Sequence, residues 1–199
     1  MTVTDAPVNP AATEPEAESR RDMLVGRLFE ASVGALDLLS IHLGLRLGLY
    51  AVLADGTART SGELAAAAGI GERYAREWLE QQAVTGLLDV VDDHDVAAAR
   101  RRFTLPAEHA EVLLDPESAS LLGPMAHLVA GAAARLPDLL AAYRSGGGVP
   151  WSAYGEDVLG AQEALNRPVF SHALAERCRL RVAGCVRNGC VIEVESLDA

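Results

Sequence analysis

Basic charge is scarce in this 199-residue chain: 17 Lys and Arg stand against 28 Asp and Glu, for a formal net charge of -11. Nucleic-acid binders gain affinity from Lys and Arg that displace counterions. The balance therefore argues against a bulk grip on nucleic acid or anionic lipid and leaves open only a local patch. Aromatics are 5% of residues while half the chain is hydrophobic, much of it Ala and Leu, a mix that favours helices. The three cysteines, Cys178, Cys185 and Cys190, form neither a CxxC nor a zinc pattern and read as reduced thiols of a cytoplasmic protein. His42, His94, His109, His127 and His172 are scattered, without an HExxH motif or an i, i+4 pair. No metal site is therefore expected.

Other signals are missing too. The first apolar stretch lacks the basic start and cleavage site of a secretory signal. The most apolar region, residues 36–53, is interrupted by Asp37, His42 and Arg46 and falls short of an uncharged span of about 20 residues. No membrane segment is expected. The run Gly146-Gly147-Gly148 lacks the Lys-Ser/Thr ending of a phosphate-binding loop.

What is present begins after a leader. Residues 1–21 are rich in Pro, Ala, Thr and Glu without an apolar period and read as disordered. Helical spacing starts at Met23, Leu24, Leu28 and Phe29. A stretch follows in which Ile41, Leu43, Leu45, Leu47 and Leu49 alternate with His42, Gly44, Arg46 and Gly48. Alternation is a strand signature, but Leu is not a preferred strand residue and the flanks are helical. Helix is the reading, with a hairpin strand as the alternative. Gly44 and Gly48, four apart, would let another helix approach.

Thr60-Ser61-Gly62-Glu63 is a capping box opening a helix over 61–68, and Gly69-Ile70-Gly71 makes a turn. A second helix over 72–85 carries Tyr74, Ala75, Trp78, Leu79 and Ala83 as its buried stripe. Leu87 to Val91 and Arg102 to Leu105 then read as two strands around a turn. Helix, glycine turn, helix and two-stranded wing is the winged helix-turn-helix order. The expected fold is mainly α: a winged-helix domain over 22–114 and a helical linker or lid region over 115–176, with helices at 106–114, 118–134, 137–143 and 156–175. The tail is 177–199.

Those segments resemble the class I S-adenosylmethionine-dependent methyltransferases that carry an amino-terminal winged-helix dimerisation domain. The residues that carry the resemblance are Leu47-Gly48-Leu49-Tyr50, Thr60-Ser61-Gly62-Glu63-Leu64-Ala65-Ala66, Tyr74-Ala75-Arg76-Glu77-Trp78-Leu79, Gly86-Leu87-Leu88 and Phe103-Thr104-Leu105. Gly147-Gly148-Val149-Pro150-Trp151, Tyr154-Gly155 and Asn166-Arg167-Pro168 add the linker. The resemblance covers roughly residues 24–175. It implies a small-molecule methyltransferase lineage, a homodimer through the helices from Leu24 to Leu53, and linker helices that roof the substrate pocket. Trp151 and Tyr154 are the substrate-lid candidates; the alternative is that they anchor a glycine-rich linker.

The family's cofactor sits in a carboxy-terminal Rossmann-like domain, whose first strand leads into a glycine-rich turn. Here Val191-Ile192-Glu193-Val194 could begin that strand, but Glu195-Ser196-Leu197-Asp198-Ala199 follows instead of the turn. The expectation is a chain truncated before the cofactor motif. It would bind no cofactor and have no activity alone, with S-adenosylmethionine implied for the full-length family. Two other roles stay open: a non-catalytic partner of a full-length paralogue, and a winged-helix DNA-binding regulator. For the second, Arg100-Arg101-Arg102 is the one favourable feature. The Leu24 to Leu53 region also has an alternative, an intramolecular pairing with the helices at 118–143.

Overall fold

The computed structural model describes residues 13–92, 96–168 and 170. Two compact units are distinguished, Met1–Asp37 and Leu38–Ala199. Helix α1 (Glu14–Arg46) begins in the first and ends in the second. It starts within the stretch that composition assigns to a disordered leader, so residues 14–21 are helical. The reason is local: the Thr13 backbone N–H and hydroxyl both donate to the Glu16 carboxylate at 2.9 Å, satisfying the first turn.

In the first unit, Met23, Leu24, Val25, Leu28, Phe29, Val33 and Leu36 are all exposed, Phe29 at 70%. At 3.6 residues per turn these side chains spread over about three-quarters of the helix circumference, wider than the roughly 100° stripe of a one-sided surface helix. By length and composition, residues Glu16–Arg46 also meet the requirement for a membrane-crossing helix. This differs from the expectation because the apolar run extends upstream of Leu36, with Glu30 and Asp37 the sole charges between residues 28 and 45.

In the second unit the end of α1 turns into α2 (Leu49–Leu53) through Gly48, whose φ of 68° is the left-handed conformation that suits glycine. The alternating leucines resolve as helix. Ile41 and Leu45, four apart, pack against the core, whereas Leu43 and Leu47 are exposed. Gly44 admits an aromatic side chain: a Cβ there would lie 2.4 Å from Trp78 Cζ2 and 2.6 Å from Tyr50 Cε2. Gly48 lies beyond the helix and plays no part in that packing.

Thr60 caps α3 (Ser61–Ala68) with the predicted capping box. The Glu63 N–H donates to Thr60 Oγ1 at 3.3 Å, and the Thr60 N–H donates to Glu63 Oε2 at 2.8 Å. Gly69, at φ 68°, ends α3, and α4 (Glu72–Val84) follows. The buried Ser61 hydroxyl donates to Glu72 Oε1 at 2.7 Å, tying the two helices together. The buried face of α4 is Ala75, Trp78, Leu79 and Gln82. Tyr74 does not join it, being 72% exposed, because at helical spacing it lies at the outer edge of the stripe, beyond Trp78 and a quarter turn or more from Ala75.

The wing has three strands rather than two: β1 (Arg59–Thr60), β2 (Asp89–Val90) and β3 (Arg102–Thr104), antiparallel in the order β1-β3-β2. Arg59 pairs with Phe103, and Val90 pairs with Phe103 from the other side. Phe103 thus points from the central strand into a core of Leu49, Tyr50, Leu53, Leu64, Leu79 and Leu113.

A network of amides and hydroxyls, buried at Tyr50 and Gln82 and half-buried at Ser40 and Gln81, edges this core. The Tyr50 hydroxyl donates to Gln82 Oε1. Gln82 Nε2 donates to Ser40 Oγ at 3.1 Å and to Gln81 Oε1. The Ser40 hydroxyl donates to Gln81 Oε1 at 2.7 Å, and Trp78 Nε1 donates to the Ser40 carbonyl at 3.1 Å. Burial without charge partners pushes the Tyr50 phenol far above its ordinary value.

Beyond the wing lie α5 (Ala107–Leu114), α6 (Pro124–Ala133), α7 (Leu136–Ser145) and α8 (Gly155–Pro168). The helix expected from residue 118 starts only at Pro124. Before it, the Leu122 and Gly123 N–H groups donate to the Val112 carbonyl at 2.8 and 3.0 Å. Gly123 sits so close that a Cβ would lie 2.2 Å from the Leu113 carbonyl oxygen. The expected extension of α8 to residue 175 and the whole 177–199 tail lie outside the described residues.

Candidate functional site

Helix α4 is where a DNA reader would place its base contacts, but its charges are engaged within the helix. Arg73 pairs with Glu77 at 2.9 Å and Arg76 with Glu72 at 3.4 Å. Two of the three arginines in the wing run are likewise answered by acids: Arg101 by Glu80 at 3.5 Å and Arg102 by Asp92 at 2.8 Å. Hydrogen bonds from Arg102 hold the Asp92 carboxyl below its usual range. A surface neutralised internally releases few counterions on meeting phosphate.

The lid candidates lie together. Trp151 opens a single 3-10 turn (Trp151–Ala153) and Tyr154 follows it, their ring centroids 5.6 Å apart. Trp151 is 58% exposed, so its indole is largely presented outward rather than spent in the interior.

Three side chains converge that sequence spacing does not connect. His42 on α1, His127 on α6 and Asp157 on α8 place ligand-capable atoms within 4.8 Å of one another. The two Nδ1 atoms stand 2.8 Å apart, so one donates and the other accepts, and the rings meet edge to face at 4.8 Å between centroids. Burial first, and then the neighbouring His42, hold the His127 imidazole below its ordinary value. Asp157 is also 3.3 Å from the Arg46 guanidinium. The convergence depends on Gly131, one turn beyond His127 on α6. A Cβ there would lie 2.6 Å from Val158 Cγ2 and 3.1 Å from Asp157 Cβ, so glycine is what brings α8 close enough.

The sequence offers no HExxH motif or i, i+4 pair that would join the two histidines, which stand 85 positions apart. Of the others, His109 hydrogen-bonds the Leu87 carbonyl at 3.0 Å, a structural tie between α5 and the wing. His94, His172 and the three cysteines lie outside the described residues. A small apolar hollow of about 170 Å³, lined by residues such as Ile41, Leu87, Val112 and Met125, offers no titratable group.

The three-stranded sheet and the α3–α4 pair define a winged helix-turn-helix domain. Residues 34–114 match the Rv2258c-like winged HTH domain. Solved structures with the same fold include the mitomycin 7-O-methyltransferase MmcR, 25% identical with a TM-score of 0.55, over 80% of this chain and 47% of that one. The N,N-8-amino-8-demethyl-D-riboflavin dimethyltransferase RosA from Streptomyces davawensis is 22% identical, TM-score 0.54, over 77% and 47%. An O-methyltransferase family protein from Burkholderia thailandensis is 22% identical, TM-score 0.53, over 79% and 46%. The chain thus spans about half the length of each, matching their amino-terminal portion. No protein of curated function matches it by sequence.

Proposed function

We propose that this chain serves as the amino-terminal dimerisation and substrate-lid part of a small-molecule, S-adenosylmethionine-dependent methyltransferase. On this reading the cofactor and the methyl transfer belong to the carboxy-terminal Rossmann-like domain that the resemblance implies. The observation that carries this reading is the joint one of fold and surface: a winged-helix domain like that of the methyltransferases, with the apolar face of α1 uncovered. Contiguous exposed apolar surface of this kind marks an interface, and a two-fold pairing of identical faces is its simplest closure. Trp151 and Tyr154 would contribute an aromatic edge to the roof of the substrate pocket.

A cytoplasmic dimer fits α1 better than a membrane span does. Residues 38–46 of the helix are already engaged: Ser40 in the polar network and Gly44 against Trp78. Upstream of them, residues 18–30 carry Glu18, Arg20, Arg21, Asp22, Arg27 and Glu30, a charge density too costly for a hydrocarbon core. The DNA-regulator reading loses its basic surface to the pairs on α4 and the wing.

Light scattering of the purified chain should give a dimer mass, and titration with S-adenosylmethionine should give no heat. A monomer at micromolar concentration would remove the dimerisation claim. Cofactor binding by this chain would remove the division of labour on which the proposal rests.

A further inference from the structure

We propose that His42, His127 and Asp157 form a binding site for a divalent transition-metal ion of the borderline class, such as Zn²⁺, Co²⁺ or Ni²⁺. This goes beyond the methyltransferase reading and does not depend on it. Two imidazoles and one carboxylate are the ligand types these ions take. They come from three separate helices, α1, α6 and α8, so the donor set is fixed by tertiary packing.

The distances suit an ion. Ligands about 2.0–2.1 Å from a tetrahedral zinc stand about 3.3 Å from one another. The Nδ1 atoms start at 2.8 Å, and all three ligand atoms fall within 4.8 Å, so modest side-chain rotations close the triangle. In the metal-free state one imidazole carries its proton on Nδ1, in the hydrogen bond to the other. When the ion arrives that proton moves to Nε2 of the same ring, and both Nδ1 lone pairs face the metal. No net proton is lost, and the fourth position is left to water, as at three-ligand zinc sites.

All three side chains are half-buried, shielded enough to hold an ion and open enough to admit one. Among the described residues, Arg46 is the further charged group at the cluster, on Asp157 at 3.3 Å. It orients the carboxylate and, as a cation, weakens the hold on a metal ion. Its side chain is 56% exposed and can turn outward when the ion enters.

The test uses the full chain with Cys178, Cys185 and Cys190 changed to Ser, so that thiols contribute nothing. Calorimetric titration with Zn²⁺ or Ni²⁺ alone should give one site of micromolar affinity. His42→Gln, His127→Gln and Asp157→Asn should each weaken it at least tenfold while circular dichroism stays that of the parent. Should a variant fail to fold, long-range ¹H–¹⁵N spectra of the parent decide the matter. Zn²⁺ should move the imidazole signals of His42 and His127 and leave those of His94, His109 and His172 in place. No binding at tens of micromolar metal, binding undiminished in the His42→Gln/His127→Gln double variant, or shifts confined to other histidines would overturn the site.

Discussion

The winged domain and two apolar helical stretches outside it, the first part of α1 and α7, handle hydrophobic residues in opposite ways. In the former, Tyr50, Leu53, Leu64, Leu79 and Phe103 are completely enclosed. In the latter, Leu28, Phe29 and Leu36, and again Leu136, Leu140 and Tyr143, are open to solvent, and α7 buries none of its residues. The same residue types thus perform two jobs. One set closes a core; the other leaves apolar area uncovered among the described residues. Apolar area removed from water is worth roughly 25 cal/mol per Å², so the uncovered faces are a driving force for association.

Substitutions should separate the two sets. Phe103→Ala empties the centre of the core and should cost about 3–5 kcal/mol, read as a large drop in the urea midpoint. Phe29→Glu, by contrast, should leave the unfolding free energy of the monomer within about 0.5 kcal/mol and instead shift the mass seen by light scattering toward the monomer. If the two behave alike, the distinction between closed core and uncovered face is wrong.

Gly44→Ala tests whether the end of α1 belongs to the core. Its Cβ would meet the Trp78 ring at 2.4 Å, and overpacking should cost about 1–3 kcal/mol, although Ala is the better helix former. Thr60→Ala removes one half of the capping box and should cost about 1 kcal/mol, with the loss confined to the winged domain. The smallest effect concerns acid. Hydrogen bonds from Thr60 and Arg102 hold the Glu63 and Asp92 carboxyls below their ordinary values of 4.5 and 3.8. The unfolded chain therefore takes up protons first, and stability falls as pH drops below these values. The urea midpoint should be flat above about pH 5 and decline below it. Glu63 is exposed and Asp92 is held in an ion pair with a half-exposed arginine, so the decline should be shallow and weaken with salt.

What the sequence discloses follows the same divide. Local chemistry is legible: the Thr60–Glu63 box, the glycine turn at 69–71 and the period of α4 rest on neighbours a few residues apart, and each is found where the sequence puts it. Strand β1 is missed because two residues, Arg59 and Thr60, carry no period, and only pairing with β3 makes them a strand. Tyr74 is misplaced because an aromatic on an amphipathic helix looks like core until the helix is oriented by Trp78. The start of α6 shifts to Pro124 because Gly123 is pulled against the Leu113 carbonyl, a contact with no local signature. The His42–His127–Asp157 cluster was illegible for the same reason on a larger scale. Its members lie on three helices, and their meeting depends on the missing side chain of Gly131.

The Tyr50–Gln82–Ser40–Gln81 network has a consequence for how this sequence finds a single arrangement. A chain built so largely of Ala and Leu offers little shape to distinguish one helix packing from its neighbour, since a slide of one turn, about 5.4 Å, replaces one small apolar contact with another. A slide would nevertheless part the Tyr50 hydroxyl from the Gln82 carbonyl oxygen and the Ser40 hydroxyl from both glutamines. Each group left dry and unpartnered costs about 1–3 kcal/mol. The amides and hydroxyls thus act as a vernier on an otherwise smooth scale: they add little to the depth of the native well, but they leave it without rivals.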